Sequence, residues 1–247
     1  MLKFLIFLTL AVSSNIMLAQ DLTLAVSSNF AKPIQSISFK FTQETGVKVN
    51  YSLGATGALY AQIKSGAPYD VFLSADASTP RKLITEGLGI ASSNFTYARG
   101  QLILWSKDPT LVDNKGLVLQ SGRFKSIALA NPKLAPYGQA AQETLEHLGL
   151  GQALKSKMIL ADNITQVFQY VSSQNIPLGF IAGSQLPKDE SGSAGSFWRV
   201  PSSLHAPIEQ DAILLTKGTQ HATALQFLHF LKRQDIKVLI RSSGYDI

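Results

Sequence analysis

The sequence contains no cysteine, so it has no disulfide framework, no thiolate metal site and no cysteine to carry a lipid anchor. Charged side chains make up only 15% of the 247 residues, and Lys and Arg are scattered rather than clustered, which argues against nucleic-acid binding. The four histidines, His147, His205, His221 and His229, show no ligand-like pairing and are read as surface residues. No Gly-x-Ser-x-Gly nucleophile elbow occurs either. These absences leave no nucleophile, base or metal cluster, so the expectation is a non-catalytic protein without a cofactor. No later run reaches the roughly 18 apolar residues of a membrane span. Residues 4–12 form a shorter apolar run behind Met1-Leu2-Lys3, followed by small and polar residues. That is the layout of a secretory signal peptide, with cleavage expected after Ala19 or Gln20, so residues 1–20 are read as a leader and the mature chain as soluble and exported.

What is present suits a globular protein. Hydrophobic residues make up 45% of the chain, enough at this length for a sizeable core. The formal charge is +6, lowered by one with removal of Lys3, and describes a modestly basic surface able to draw in anions. The heptapeptide Thr-Leu-Ala-Val-Ser-Ser-Asn occurs at residues 9–15 and again at 23–29, but the first copy lies inside the expected leader and no repeat architecture follows.

From residue 21 strand and helix patterns alternate. Strands are expected at 22–27, 47–52 and 70–74, with helices at 30–45, 56–64 and 79–86, the last closed by Gly87. A second series has strands at 101–105, 126–130, 158–161 and 178–182, with helices between them. A strand at 211–216 and helices at 219–231 and 236–241 finish the chain. This βαβ rhythm predicts an α/β fold of two lobes, each a mostly parallel sheet flanked by helices. Two extended crossings, near Gly100 and Gln210, place residues 21–99 and 212–247 in one lobe and 100–211 in the other, with a ligand cleft between them.

Three segments, Ser27-Ser28-Asn29-Phe30, Gly54-Ala55-Thr56-Gly57 and Ala135-Pro136-Tyr137-Gly138, each precede an amphipathic helical pattern and carry no charged side chain. A helix start leaves its first N–H groups unpaired and carries partial positive charge, so several starts converging on one point can hold an oxyanion without Arg or Lys. Each segment also has a plain structural reading: Ser28 and Asn29 are favoured helix caps, Gly54 and Gly57 suit an ordinary turn, and Tyr137 suits a partly buried aromatic. Asp70 and Asp76 are read as structural.

The runs Gly54-Ala55-Thr56-Gly57-Ala58-Leu59-Tyr60-Ala61-Gln62-Ile63 and Gly66-Ala67-Pro68-Tyr69-Asp70-Val71-Phe72-Leu73-Ser74-Ala75-Asp76 carry a specific resemblance. The chain resembles the periplasmic molybdate-binding proteins that serve ABC importers, a branch of the two-lobed periplasmic binding proteins. The resemblance covers essentially the whole mature chain. It implies a monomeric periplasmic protein that binds molybdate and tungstate, delivers the anion to an ABC transporter permease, holds molybdenum only as the oxyanion, and binds no nucleic acid. By position it implies oxyanion contacts at Ser28, Asn29, Thr56, Tyr137 and Ile164. Tyr137 would contribute a backbone N–H or its hydroxyl, and Ile164 a backbone N–H. Some members place a tyrosine where this chain has Ala182, so Tyr137 is expected to be the aromatic donor. Asp162 is expected to cap the helix at 163–172 with its carboxylate turned from the anion. A fully deprotonated dianion needs donors only, whereas phosphate keeps a proton and wants an acceptor. Another oxyanion such as sulfate or phosphonate is the alternative cargo. An effector-sensing domain of a transcription regulator is a further alternative, opposed by the leader.

Overall fold

The computed structural model describes residues 21–187 and 195–247, so the expected leader, residues 1–20, lies outside the described residues. The chain opens with β1 (Leu22–Ser27), an apolar strand with Leu22, Leu24, Ala25 and Val26 all fully buried, as a central strand covered on both faces requires. Helix α1 (Ala31–Thr45) buries Ile34, Ile37 and Phe41, one stripe at helical spacing, and stops at Gly46, whose φ of 74° only glycine adopts without strain. β2 (Val49–Gly54), α2 (Thr56–Lys64), β3 (Val71–Leu73) and α3 (Ser78–Thr85) continue the alternation, and β4 (Phe95–Gly100) completes this passage.

Only Gln101 separates β4 from β5 (Leu102–Ser106) in the second lobe. There follow α4 (Val118–Ser121), β6 (Ile127–Ala130), α5 (Pro136–His147), α6 (Gly151–Leu154), β7 (Met158–Ala161), α7 (Ile164–Ser172), β8 (Leu178–Ala182) and β9 (Ser196–Arg199). The chain then returns through β10 (Ile208–Leu214) and ends in α8 (Ala222–Leu231) and α9 (Gln234–Ser242).

The strands form two five-stranded sheets, ordered β2-β1-β3-β10-β4 and β7-β6-β8-β5-β9. In the first, β1 runs parallel to β2 and β3, and only β10 is reversed, pairing antiparallel with β3 and β4. The second repeats the plan: β6 is parallel to β7 and β8, and β5 is the reversed strand between β8 and β9. Each crossing therefore joins an edge strand of one sheet to the reversed strand of the other. The α/β class and the two mostly parallel sheets agree with the sequence reading. Two strands were not foreseen: β4 lies where a plain crossing was expected, and β9 where no element was. β10 pairs in the first sheet from Ile208 onward, so residues 208–211 go with that sheet.

Two apolar clusters cover the faces of the first sheet, centred on Phe30, Phe41 and Phe227 and on Phe72, Leu59 and Ile213. The second lobe has one large cluster around Trp105, Phe180 and Tyr137, and Ala55 and Ala75 of the first lobe join it across the cleft. Among the described residues no helix is long and apolar enough to cross a membrane.

Candidate functional site

In both sheets a parallel strand ends where a helix begins, so helix starts gather at the carboxyl edge of the strands, the usual ligand position in open α/β sheets. β1 leads through a 3-10 turn (Ser28–Phe30) into α1, β2 into α2, β6 into α5 and β7 into α7. These four turns meet around one small, tightly closed pocket between the lobes. Ser28, Asn29, Thr56, Tyr137 and Ile164 all line it, each between 1 and 6% exposed. Ser27, Gly54, Ala55, Ala75, Ala135 and Pro136 complete the wall, so no charged side chain lines the cavity. The structure thus brings together every residue the sequence reading proposed. A larger open hollow beside α5, α6 and β7, floored by Leu129, Leu145 and Met158, shares no residue with it.

The donors can be followed group by group. Ser28 Oγ has no hydrogen-bond partner among the described residues, while its carbonyl accepts from Thr165 Oγ1 of the opposite lobe at 3.1 Å. Thr56 Oγ1 accepts from the Ala75 N–H at 3.2 Å and lies 2.8 Å from Ser27 Oγ. Two hydroxyls sharing one hydrogen bond use one of their two protons, so the other is available to a ligand. The Asn29 side chain is engaged away from the cavity: its nitrogen donates to Gln210 Oε1 at 2.9 Å and to the Tyr245 hydroxyl at 3.0 Å, which leaves its backbone N–H as the donor nearest the cavity.

In α5, Pro136 takes the first helical position, where its missing N–H costs nothing. The N–H groups of Gly138 and Gln139 close on Ala135 O at 2.9 and 3.0 Å, which leaves that of Tyr137 outside the ladder of its own helix. Gly138 is required here, because a Cβ would lie 2.1 Å from Ala130 O. The Tyr137 hydroxyl accepts from Gln210 Nε2 at 3.1 Å. Burial, with Tyr245 beside it, holds that hydroxyl well above the ordinary tyrosine range despite the bond from Gln210, so it stays protonated.

For α7 the expected cap is corrected. Asn163, not Asp162, caps the helix, its Oδ1 accepting from Thr165 and Gln166 N–H at 3.0 and 3.1 Å. An amide oxygen adds no negative charge at the cleft, and with two N–H groups satisfied that of Ile164 is left over. Asp162 is exposed and bonds through its backbone N–H to Gln166 Oε1 at 2.7 Å. Asp70 and Asp76 hold structure: Asp70 Oδ2 accepts from Thr23 N–H at 2.7 Å, and Asp76 accepts from Thr79 N–H at 2.6 Å at the start of α3. Ala182 lies buried in β8 and is not part of the wall.

Two histidines depart from the surface reading. His205 is buried, its Nδ1 2.7 Å from Ala206 O. His221 precedes α8 with Nδ1 2.7 Å from Asp70 Oδ1, an approach off the hydrogen-bond axis. Neither lines the cavity, and no group of three or more His, Cys, Asp or Glu able to hold a metal ion occurs among the described residues.

Behind the wall lies a polar cluster that sequence reasoning missed: Tyr97, Ser184, Gln210 and Tyr245. Ser184 Oγ and the Tyr245 hydroxyl both donate to Asn29 O, at 2.9 and 2.7 Å. Tyr245 stands 216 positions from Asn29 and Gln210 181, and no local pattern signals such a meeting.

Comparison with known proteins places this arrangement among relatives. The model of the family described as bacterial extracellular solute-binding protein matches residues 22–246. The chain is 45% identical over 229 residues to the molybdate-binding protein ModA of Azotobacter vinelandii, covering 93% of this chain and 91% of that one. It is 44% identical to the protein of the same name from Rhodobacter capsulatus, over 92% of this chain and 88% of the relative. The solved Azotobacter vinelandii periplasmic molybdate-binding protein superposes with a TM-score of 0.89 at 37% identity, covering 92% of this chain and 99% of that structure.

Proposed function

The chain belongs to the bacterial extracellular solute-binding protein family, and from that premise we propose that it captures molybdate in the periplasm and hands it to an ABC import permease. The observation that carries the reading is the uncharged cavity at four converging helix starts, lined by Ser28, Asn29, Thr56, Tyr137 and Ile164. Hydroxyl and backbone N–H donors suit an anion that bears no proton. Hydrogen bonds to a charged group contribute about 1.5–3 kcal/mol each, so several of them hold a buried dianion without a counter-cation. The names of the relatives support molybdate as cargo, and tungstate, with the same charge and shape, fits the same donors. Sulfate is smaller, and a wall fixed by backbone donors cannot shrink around it.

Both lobes supply donors, so the ligand favours the state in which they meet. Contacts already span the cleft, for Gly57 N–H donates to Leu134 O at 2.9 Å. The lobes, divided after Gly100 and ahead of Ile208, close around the anion and offer the closed surface to the permease. The protein acts as a monomer, does no chemistry on its cargo and needs no cofactor.

The test is a thermal melt and titration calorimetry of the ligand-stripped mature chain against molybdate, tungstate, sulfate and phosphate. Saturation at about 100 times the dissociation constant adds roughly 2.7 kcal/mol, a readily seen shift. Stabilisation by molybdate and tungstate alone is expected. A response to sulfate or phosphate alone would change the cargo, and none at all would reduce the four turns to ordinary helix starts.

A further inference from the structure

The cluster behind the cavity has an internal logic that begins at Asn29 O, which can only accept. The Tyr245 hydroxyl sits 2.7 Å from it and gives it its proton, so the Tyr245 oxygen accepts from the Asn29 side chain at 3.0 Å. That assigns Nδ2 to this side of the amide and orients a group whose two ends look alike. The same nitrogen lies 2.9 Å from Gln210, so the Gln210 atom there is Oε1; the Tyr97 hydroxyl lies between it, at 3.1 Å, and the Ser74 carbonyl, at 3.0 Å, and shares its one proton with them. The other end of Gln210, Nε2, then faces Tyr137 and donates to its hydroxyl oxygen at 3.1 Å. Gln210 is fully buried and Tyr137 1% exposed, so solvent cannot compete. Gly100 backs the hydroxyl so closely that a Cβ would fall 2.1 Å from it. The Tyr137 proton finds no acceptor among the described residues, and Tyr137 lines the cavity.

We propose that Gln210 is a specificity-determining positioning residue: by donating to the Tyr137 hydroxyl oxygen it leaves that hydroxyl chiefly its proton to offer, and so biases this point of the wall against anions that carry a proton. The inference rests on the oxyanion reading of the cavity given above. A free hydroxyl can donate or accept, and would serve a protonated and an unprotonated anion alike. One whose oxygen already accepts from a buried amide is set to donate, and favours a proton-free oxygen of the anion at its point of the wall. A hydrogen phosphate that turns its hydroxyl to this point meets proton against proton, a mismatch that discriminates between isosteric ligands, and keeps only the wall's other hydroxyls as acceptors.

The experiment measures molybdate affinity by calorimetry and inorganic phosphate by competition, on the full mature chain and on Gln210→Met, Tyr137→Phe and the double variant. Gln210→Met should lower the molybdate-to-phosphate affinity ratio by about tenfold, the scale of one hydrogen bond to a charged group. In the Tyr137→Phe background the same change should leave the ratio unmoved, because the effect runs through the hydroxyl. Equal losses for both anions, or the same ratio change in both backgrounds, overturns the inference and leaves Gln210 a packing residue. If Gln210→Met does not fold, Gln210→Glu keeps the acceptor for Asn29 and Tyr97, gives the Tyr137 proton an acceptor of its own, and should lower the ratio likewise. Failure of the wild-type chain to bind molybdate would instead strike the oxyanion reading itself, a result seen before any variant is made.

Discussion

Ser28 carries the most exposed test of a site built from neutral donors, because its hydroxyl has no partner among the described residues while its carbonyl is tied across the cleft. Ser28→Ala removes one proton from the wall and disturbs little else. Molybdate affinity should fall by about 1.5–3 kcal/mol, roughly ten- to a hundredfold, with the ligand-free melting temperature nearly unchanged. An affinity change under about twofold by calorimetry would mean that the hydroxyl never reaches the anion. Gly100→Ala acts from the opposite side: its Cβ would sit 2.1 Å from the Tyr137 hydroxyl, so the ring or the strand must shift. Overpacking of this kind costs about 1–3 kcal/mol, and chemical denaturation should show that loss together with weakened binding. Retained stability and affinity would show that Tyr137 has room to move. At this scale the turns carrying Ser28, Thr56 and Tyr137 were legible because each belongs to a local turn-and-helix pattern, whereas Ile164 came only from the family resemblance. The engagement of Asn29 was not legible, since its partners come from distant parts of the chain.

At the scale of elements the site depends on how each helix begins. α7 starts with Asn163 Oδ1 holding two N–H groups, and Asn163→Ala should cost about 1 kcal/mol of stability by denaturant titration. Because the freed first turn also carries the Ile164 N–H, affinity should fall with it, whereas Asp162→Ala should leave both within experimental error. The reverse result would restore Asp162 as the cap. The four strand-to-helix turns could be read from periodicity because buried parallel strands are short apolar runs and their helices carry apolar stripes. β4, β9 and the reversed placement of β10 could not. β4 and β9 are edge strands with exposed and polar positions, such as Thr96, Arg99 and Phe197, and their pairing is settled by partners more than a hundred residues away in the case of β4. Hydrophobic pattern states that a strand exists and says nothing of its neighbours or direction.

Across the whole molecule the titration behaviour is carried by buried tyrosines where the lobes meet. Burial, the leading cause in each case, raises the hydroxyls of Tyr97, Tyr137 and Tyr245 above the ordinary value of 10.0. A group raised on folding contributes stability that is whole below the unfolded value and is lost as pH climbs through it toward the folded one. Stability should therefore hold up to about pH 10 and drop steeply beyond, with tyrosinate absorbance rising together with unfolding. Molybdate affinity should be flat between about pH 6 and 9, because the donors keep their protons throughout that range. Tyrosinate from all seven tyrosines in a chain still folded would contradict this arrangement.

The sequence by itself determined the alternation of strand and helix, the uncharged character of the helix starts and thus the kind of ligand they can hold, because these are properties of neighbouring residues and their side-chain chemistry. Only the tertiary structure decided which strands run in reverse, that four separate helix starts face one cavity, and that Gln210 and Tyr245 stand behind Asn29 and Tyr137. Those depend on which distant segments pack together, and long-range packing is set by the whole core rather than by any stretch of the chain.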